Sequence, residues 1–200
     1  MTTTNTASGQ ASDTAPTLTP AARRILDAAT ELFYSRGINS VGVDLVAEHA
    51  GTTKKTIYDR FGSKEGLVVA YLEARARRWQ AHVTAHLADV DAGVSRRAVS
   101  VIDALESWLE MADRGCGFVN AYAELSTSSE RATVVVRAEK RWMRELFGRL
   151  LAEGGVEDDG SLARQLSLVQ EGAVVESTAG GSAYALDDAR TAMRTLIGRA

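Results

Sequence analysis

From Ala21 to Ala200 the chain contains no proline; its two prolines, Pro16 and Pro20, both fall in the first twenty residues. Proline breaks helices because it has no amide hydrogen and its ring collides with the preceding turn. So long a stretch without it can be helical nearly throughout. Ala, Leu, Glu and Arg are abundant, and no segment keeps the two-residue alternation of a half-buried strand. The periodicities predict an all-α fold of about nine helices.

The division of those helices follows from residues 37–67, GINSVGVDLVAEHAGTTKKTIYDRFGSKEGL. Val43, Val46, Ala47 and Ala50 fall at helical spacing and predict the buried side of one short helix. Gly51 stands where such a helix needs a left-handed C-terminal residue. Thr53 is placed to cap a second helix by accepting a free amide. In that helix Ile57 and Phe61 are four apart and face inward. Lys54, Lys55, Thr56 and Tyr58 remain on other faces, as donors a helix could offer to bases and phosphates in a major groove. Ser63 caps a third helix. This is a helix-turn-helix pattern.

Before it, residues 1–18 are rich in Thr, Ser and Ala and lack Lys and Arg; a disordered tail is expected, not a basic arm. Thr19-Pro20 reads as a cap followed by proline at the first helical position. Ile25, Leu26, Ala29, Leu32 and Phe33 form the stripe of a helix over 21–36. With helices over 43–50 and 54–61 it makes a three-helix head, assigned to residues 19–66.

The remainder, 67–200, is expected to form a helical ligand-binding and dimerisation domain. A long helix over 64–87 is apolar on two sides at different heights, so it links the two parts. Further helices are expected over 95–113, Phe118–Leu125, 130–153, 160–179 and 185–198. The last two carry small residues (Gly172, Ala173, Ala179, Ala189, Ala192) and the stripe Leu162, Leu166, Val169, Ala173. A two-fold homodimer through these two helices is the expected use, against the simpler one of closing the monomer's own core.

Composition excludes several classes. The net charge is −3, and residues 21–66 hold seven Lys or Arg against six Asp or Glu. Contact with double-stranded DNA must therefore rest on a local cluster, Lys54, Lys55 and Lys64 with Arg60, not on bulk charge. A single cysteine, Cys116, cannot close an internal disulfide and suits a reducing cytoplasm. No apolar run approaches the roughly 20 residues of a membrane span, and no signal-peptide core begins the chain. A cytoplasmic protein without a membrane partner is expected. No nucleophile elbow, phosphate-cradling glycine loop or histidine–nucleophile pairing appears, so no enzyme and no cofactor are expected.

The stretch Arg24–Leu72 resembles the N-terminal domain of TetR/AcrR-type transcriptional regulators. The resemblance is carried by the run Thr52-Thr53-Lys54-Lys55-Thr56-Ile57-Tyr58-Asp59-Arg60-Phe61-Gly62-Ser63-Lys64-Glu65-Gly66-Leu67 and by the order of the helices before it. Further on, Arg114–Asn120 resembles a segment of some members. The resemblance implies a dimeric repressor, with a recognition helix in the major groove and an inducer in the larger domain. It also implies that Tyr58 and Lys64 touch phosphates while Lys54, Lys55 and Thr56 face bases. Thr52 and Thr53 complete the expected DNA-binding set. Two departures matter. Gly42 stands where the family usually has a capping threonine, although glycine still caps tolerably. Lys55 replaces a frequent glycine and adds a donor suited to guanine. The rival reading is a helical small-molecule-binding protein that does not read DNA sequence.

In the second domain Trp79, Trp108, Met111, Phe118, Tyr122, Trp142 and Met143 exceed what the head needs. Each alone reads as core. Together, with Asn120, Glu124 and Gln170 as polar contacts, they predict a pocket for a small apolar or aromatic effector. Its expected ligand-binding residues are Trp79, Trp108, Met111, Phe118, Tyr122, Trp142 and Gln170. His82 and His86 share a helix face, but two ligands with a distant Cys116 do not make a metal site, and none is expected. Cys116 reads as a small apolar residue, and Arg75, Arg77 and Arg78 as a solvated face or as partners of nearby Asp and Glu.

Overall fold

A computed structural model describes residues 18–88, 90, 93–110, 114–158 and 160–199. Among these residues there are nine α-helices and no strand. The head comprises α1 (Pro20–Arg36), α2 (Val43–His49) and α3 (Lys54–Phe61). They are followed by α4 (Lys64–Ala88), α5 (Val94–Leu109), α6 (Gly117–Leu125), α7 (Glu130–Glu153), α8 (Ser161–Thr178) and α9 (Ala185–Ile197). The bounds follow the sequence periodicity closely, except that α5 stops at Leu109. Residues 111–113, where it was expected to end, lie outside the described residues, as does most of the expected tail.

Local chemistry sets the helix starts. The Thr19 hydroxyl accepts from the Ala22 amide at 3.3 Å, with Pro20 filling the first turn, where its missing N–H costs nothing. Ser63 Oγ accepts from the Gly66 amide at 3.0 Å and opens α4. Ser129 Oγ accepts from the Ala132 amide at 3.1 Å and opens α7.

Two hydrophobic clusters hold the helices together, and α4 belongs to both. Its first half supplies Leu67, Val68, Tyr71 and Leu72 to the cluster built on Ile25, Leu32, Phe33, Val46 and Ile57. Phe118, Ala121 and Leu125 of α6 and Val136 of α7 join that same cluster, so the head packs directly on the larger domain. Phe33 meets Tyr71 edge to face, with ring centroids 5.7 Å apart. The second half of α4 supplies Trp79, Val83 and Leu87 to a cluster of α5, α7, α8 and α9 around Ile102, Met143, Phe147, Leu166 and Met193. At about 1.5–3 kcal/mol per fully buried large apolar side chain, these clusters dominate the stability of both parts.

The α8–α9 pair differs from expectation in one respect. Leu162, Leu166 and Ala173, the stripe assigned to a partner, are buried at 8%, 0% and 4% exposure inside the chain's own core. The apolar residues facing outward are Leu168 and Val175, 71% and 50% exposed, with Gly172 between them in open space. The Leu162–Ala173 stripe packs into the second cluster, which leaves the opposite side of α8 facing outward. Arg190 of α9 donates to Asp103 of α5 at 2.9 Å and to Asp187 at 2.8 Å, and also bonds Glu106, locking α9 onto α5.

Candidate functional site

The turn between α2 and α3 is made by Gly51, whose φ of 61° lies in the left-handed region that other residues avoid. The chain then reverses and Thr53 caps α3, its hydroxyl accepting from the Thr56 amide at 3.2 Å. Ile57, fully buried, pins α3 to the head. With one face so anchored, Thr53, Lys54, Lys55 and Tyr58 are exposed, while Thr52 and Thr56 are half-buried beside them. Gly42 caps α2 with extended backbone and no side-chain bond.

The charges on this face are loosely engaged. Lys54 pairs with Asp44 at 2.6 Å and Lys55 with Asp59 at 3.5 Å, all four side chains more than half exposed. Such surface pairs contribute at most about 1 kcal/mol, so a phosphate or a base edge can displace them. Lys64 is placed differently. It is half-buried at the start of α4 and lines a crevice with Ile38 and Asn39. Desolvation lowers its pKa, and the Glu124 carboxylate partly offsets that.

Two polar connections join the head to the larger domain. Glu124 of α6 accepts from the Ile38 amide at 3.1 Å through Oε1 and from the Asn39 amide at 2.6 Å through Oε2. The Asn39 side chain in turn donates to the Glu124 carbonyl at 3.2 Å. The Tyr34 hydroxyl, on α1, accepts from the Arg114 amide at 2.9 Å and donates to the Gly115 carbonyl at 3.2 Å. Arg114 Nη1 completes the set with a bond to the Tyr34 carbonyl at 2.7 Å. Glu124 and Asn120, expected to face a ligand, are thus spent elsewhere: Asn120 Nδ2 donates to the Arg114 carbonyl at 2.9 Å.

The residues 115–117 that follow this connection form one wall of a cleft inside the larger domain. The cleft is also lined by Trp79, Trp108, Phe118, Leu105 and Val174 and is narrow, about 40 Å³. Trp79 and Trp108 meet edge to face at 5.4 Å, and the Trp79 indole N–H contacts Met143 Sδ at 3.3 Å. Arg75 belongs to this wall and not to a solvated face: its guanidinium lies 4.4 Å from the Tyr34 ring centre and 5.5 Å from that of Trp108. Gly117 permits this, since a Cβ there would stand 2.6 Å from Arg75 Nε.

Deeper in the cleft are Glu139 and Gln170, 3% and 4% exposed. Neither Glu139 Oε2 nor Gln170 Oε1 has a hydrogen-bond partner. Lys140 bonds Glu171 at 2.6 Å, approaches Cys116 Sγ at 3.5 Å and stands 3.4 Å from Glu139 Oε2. Burial disfavours the Lys140 cation, but Cys116, Glu139 and Glu171 outweigh burial and keep it protonated well above its ordinary value. Burial raises the Glu139 carboxyl above the usual carboxylate range, and Lys140 opposes it only in part.

Of the expected ligand-binding residues, Trp79, Trp108, Phe118 and Gln170 line this cleft. Tyr122 is 43% exposed and lines an outer groove with Val119 and Arg137; Trp142 packs against the second hydrophobic cluster. Met111 lies outside the described residues. His82 Nε2 is engaged with the Ala104 carbonyl at 2.9 Å and Ser107 Oγ at 3.0 Å, and His86 Nδ1 with the His82 carbonyl at 3.1 Å. Among the described residues no group of three or more His, Cys, Asp or Glu could hold a metal.

Residues 25–71, the head and the first turns of α4, match the family model described as bacterial regulatory proteins of the tetR family. Across nearly the whole chain the fold is that of SCO4454, a TetR-family transcriptional regulator from Streptomyces coelicolor: TM-score 0.81, 27% identity, 90% of this chain and 95% of that one covered. Residues 25–71 therefore form a TetR-family helix-turn-helix domain, and the fold of the whole chain is that of a TetR-family transcriptional regulator. Among curated relatives, the HTH-type regulator Rv1255c of Mycobacterium tuberculosis is 39% identical over 85 residues, 42% of each chain. The match therefore spans less than half the length of that relative. The HTH-type transcriptional repressor DhaR of a Mycobacterium species is 26% identical over 150 residues, covering 74% of this chain and 73% of that protein. No local sequence signal marks the Glu124 and Tyr34 connections, which join residues 80 or more positions apart.

Proposed function

We propose that the protein is a dimeric, ligand-responsive repressor working in the cytoplasm. Two heads grip half-sites of a near-palindromic operator, and a small apolar or aromatic effector releases them. In this reading Lys54, Lys55 and Thr56 face bases, while Thr52, Thr53, Tyr58 and Lys64 position the head on phosphates. The outward Leu168–Gly172–Val175 face of α8, together with α9, joins the two subunits. Repression is favoured because DhaR, a repressor by name, is similar to this chain across the larger domain as well as the head.

The observation that carries ligand response is the bonding of the cleft's own wall to the head. An effector of ordinary size exceeds a cleft of about 40 Å³, so it must push the 114–117 turn and α6 outward. Both are hydrogen-bonded to the end of α1 or to the turn after it. Entry therefore favours a head position different from the resting one, and the effector releases DNA only to the extent that it binds that second position more tightly.

The test is fluorescence anisotropy with the DNA upstream of the protein's own gene. Sequence-selective binding by a dimer, reversed by a compound that quenches Trp79 and Trp108, supports the reading. Salt-sensitive binding without sequence preference overturns it.

A further inference from the structure

The cleft has a chemical bias that its aromatic walls do not reveal. Glu139 Oε2, from α7, and Gln170 Oε1, from α8, are both shut off from solvent and accept from nothing. A buried acceptor left without a donor is among the more costly features a folded chain can keep. The nearest cation meets the deficit only in part. Lys140 directs its hydrogen bond to Glu171 and forms a looser ion pair, 3.4 Å long, with Glu139 Oε2, while Gln170 Oε1 is left with nothing. Arg75, the other cation on the wall, is half-buried and rests on the rings of Tyr34 and Trp108. With its charge resting on two aromatic faces, Arg75 makes no comparable demand for a partner. The unmet requirement in the cleft is for donors, not for acceptors.

We propose that the cleft takes a flat aryl compound carrying an N–H donor, an amine or carboxamide, whose ring enters between Trp79, Trp108 and Phe118 and whose N–H groups satisfy Glu139 Oε2 and Gln170 Oε1. The inference rests on the ligand-response reading and narrows it to a ligand class. It excludes aryl carboxylates, whose oxygens would face two acceptors already lacking donors. It also ranks a plain hydrocarbon low, because that fills the cleft while leaving both oxygens unpaired.

The experiment is calorimetric titration of the full chain with naphthylmethylamine, naphthaleneacetamide, naphthaleneacetate and methylnaphthalene, which share one ring body. Operator anisotropy is recorded on the same samples. The amine and the amide are expected to bind at least ~10-fold tighter than the acid and the hydrocarbon. Glu139→Gln and Gln170→Leu should each reduce that preference to ~3-fold or less. Without any ligand, Gln170→Leu should melt about 2–4 °C higher than the parent, because it removes an unpaired acceptor. That readout also shows that the variant folds. Equal binding of all four compounds, tightest binding of the acid, or no binding by either N–H compound overturns the inference. If the preference holds but operator affinity does not change, the donor site stands and the ligand-response reading falls. If the operator is released by these compounds without any preference among them, the response stands and the donor site falls.

Discussion

The carboxylate of Glu124 on α6 accepts a 2.6 Å hydrogen bond from the backbone amide of Asn39, in the turn that follows α1. Its other oxygen takes the Ile38 amide at 3.1 Å. One side chain of the larger domain thus satisfies two amides that no helix of the head can reach. Replacing Glu124 with Ala leaves both without that acceptor. Urea unfolding should show a loss of about 1–3 kcal/mol, and Glu124→Gln, which keeps one acceptor, should lose less. The same Ala variant should keep its effector affinity while operator release becomes weaker, measured by anisotropy.

On the DNA side the two kinds of contact should separate. Tyr58→Phe is expected to lower affinity for operator and unrelated DNA by a similar factor. Lys55→Ala should lower operator affinity by about 1–3 kcal/mol and relax base preference at one half-site position. Anisotropy titrations over a range of salt check both, and a Lys that meets a phosphate should reduce the salt slope by about one. Unchanged operator affinity in both variants would remove α3 as the reading helix.

Leu168 and Val175 offer a separate test of assembly. Leu168→Glu sets a charge on the most exposed apolar side chain of α8 without touching the monomer core. Analytical ultracentrifugation should show a shift from dimer to monomer with little change in helical content. Operator affinity should fall by at least ~100-fold, because two linked heads bind far more tightly than one.

Asp158 gives a pH-dependent prediction. Its two carboxylate oxygens accept from the Leu162 and Ala163 amides, each at 2.9 Å, at the start of α8. Partial burial works against the ionised form, but the backbone bonds outweigh it and hold the pKa below its ordinary value of 3.8. A carboxyl whose folded pKa is depressed contributes stability above its unfolded pKa, and that contribution is lost as pH falls through the folded value. Asp158→Ala should therefore cost about 1 kcal/mol at neutral pH and progressively less in acid. Paired thermal melts across that range check it.

Much of this architecture was legible because helices announce themselves locally. Thr19-Pro20, Thr53 and Ser63 are start signals that act over three residues, and each makes the expected bond. Gly51 likewise takes the left-handed turn that its position implied. The failures share one cause. Whether the Leu162–Leu166 stripe or the Leu168–Val175 stripe faces inward depends on what α5, α7 and α9 present, and periodicity carries no such information. Arg75 looked like one member of a solvated charge run, yet Gly117, 42 positions on in the sequence, opens the space that admits it to the cleft wall. Side-chain type alone places Tyr122 and Trp142 with the cleft, but α6 carries Tyr122 to an outer groove and α7 packs Trp142 against the second hydrophobic cluster.

Because α4 is shared by both hydrophobic clusters, it behaves as a shaft gripped at two points. Its 25 residues span about 37 Å at 1.5 Å per residue. A tilt of only ~8° about Trp79, roughly 22 Å along the axis from Lys64, would carry the Lys64 end through ~3 Å, about half a helical turn. In a symmetric pair both shafts swing, so the spacing between the two reading helices would change by up to about 6 Å against a DNA repeat of about 34 Å. A displacement small enough to leave every core side chain in its own pocket could thus put the two halves of the molecule out of step with the duplex.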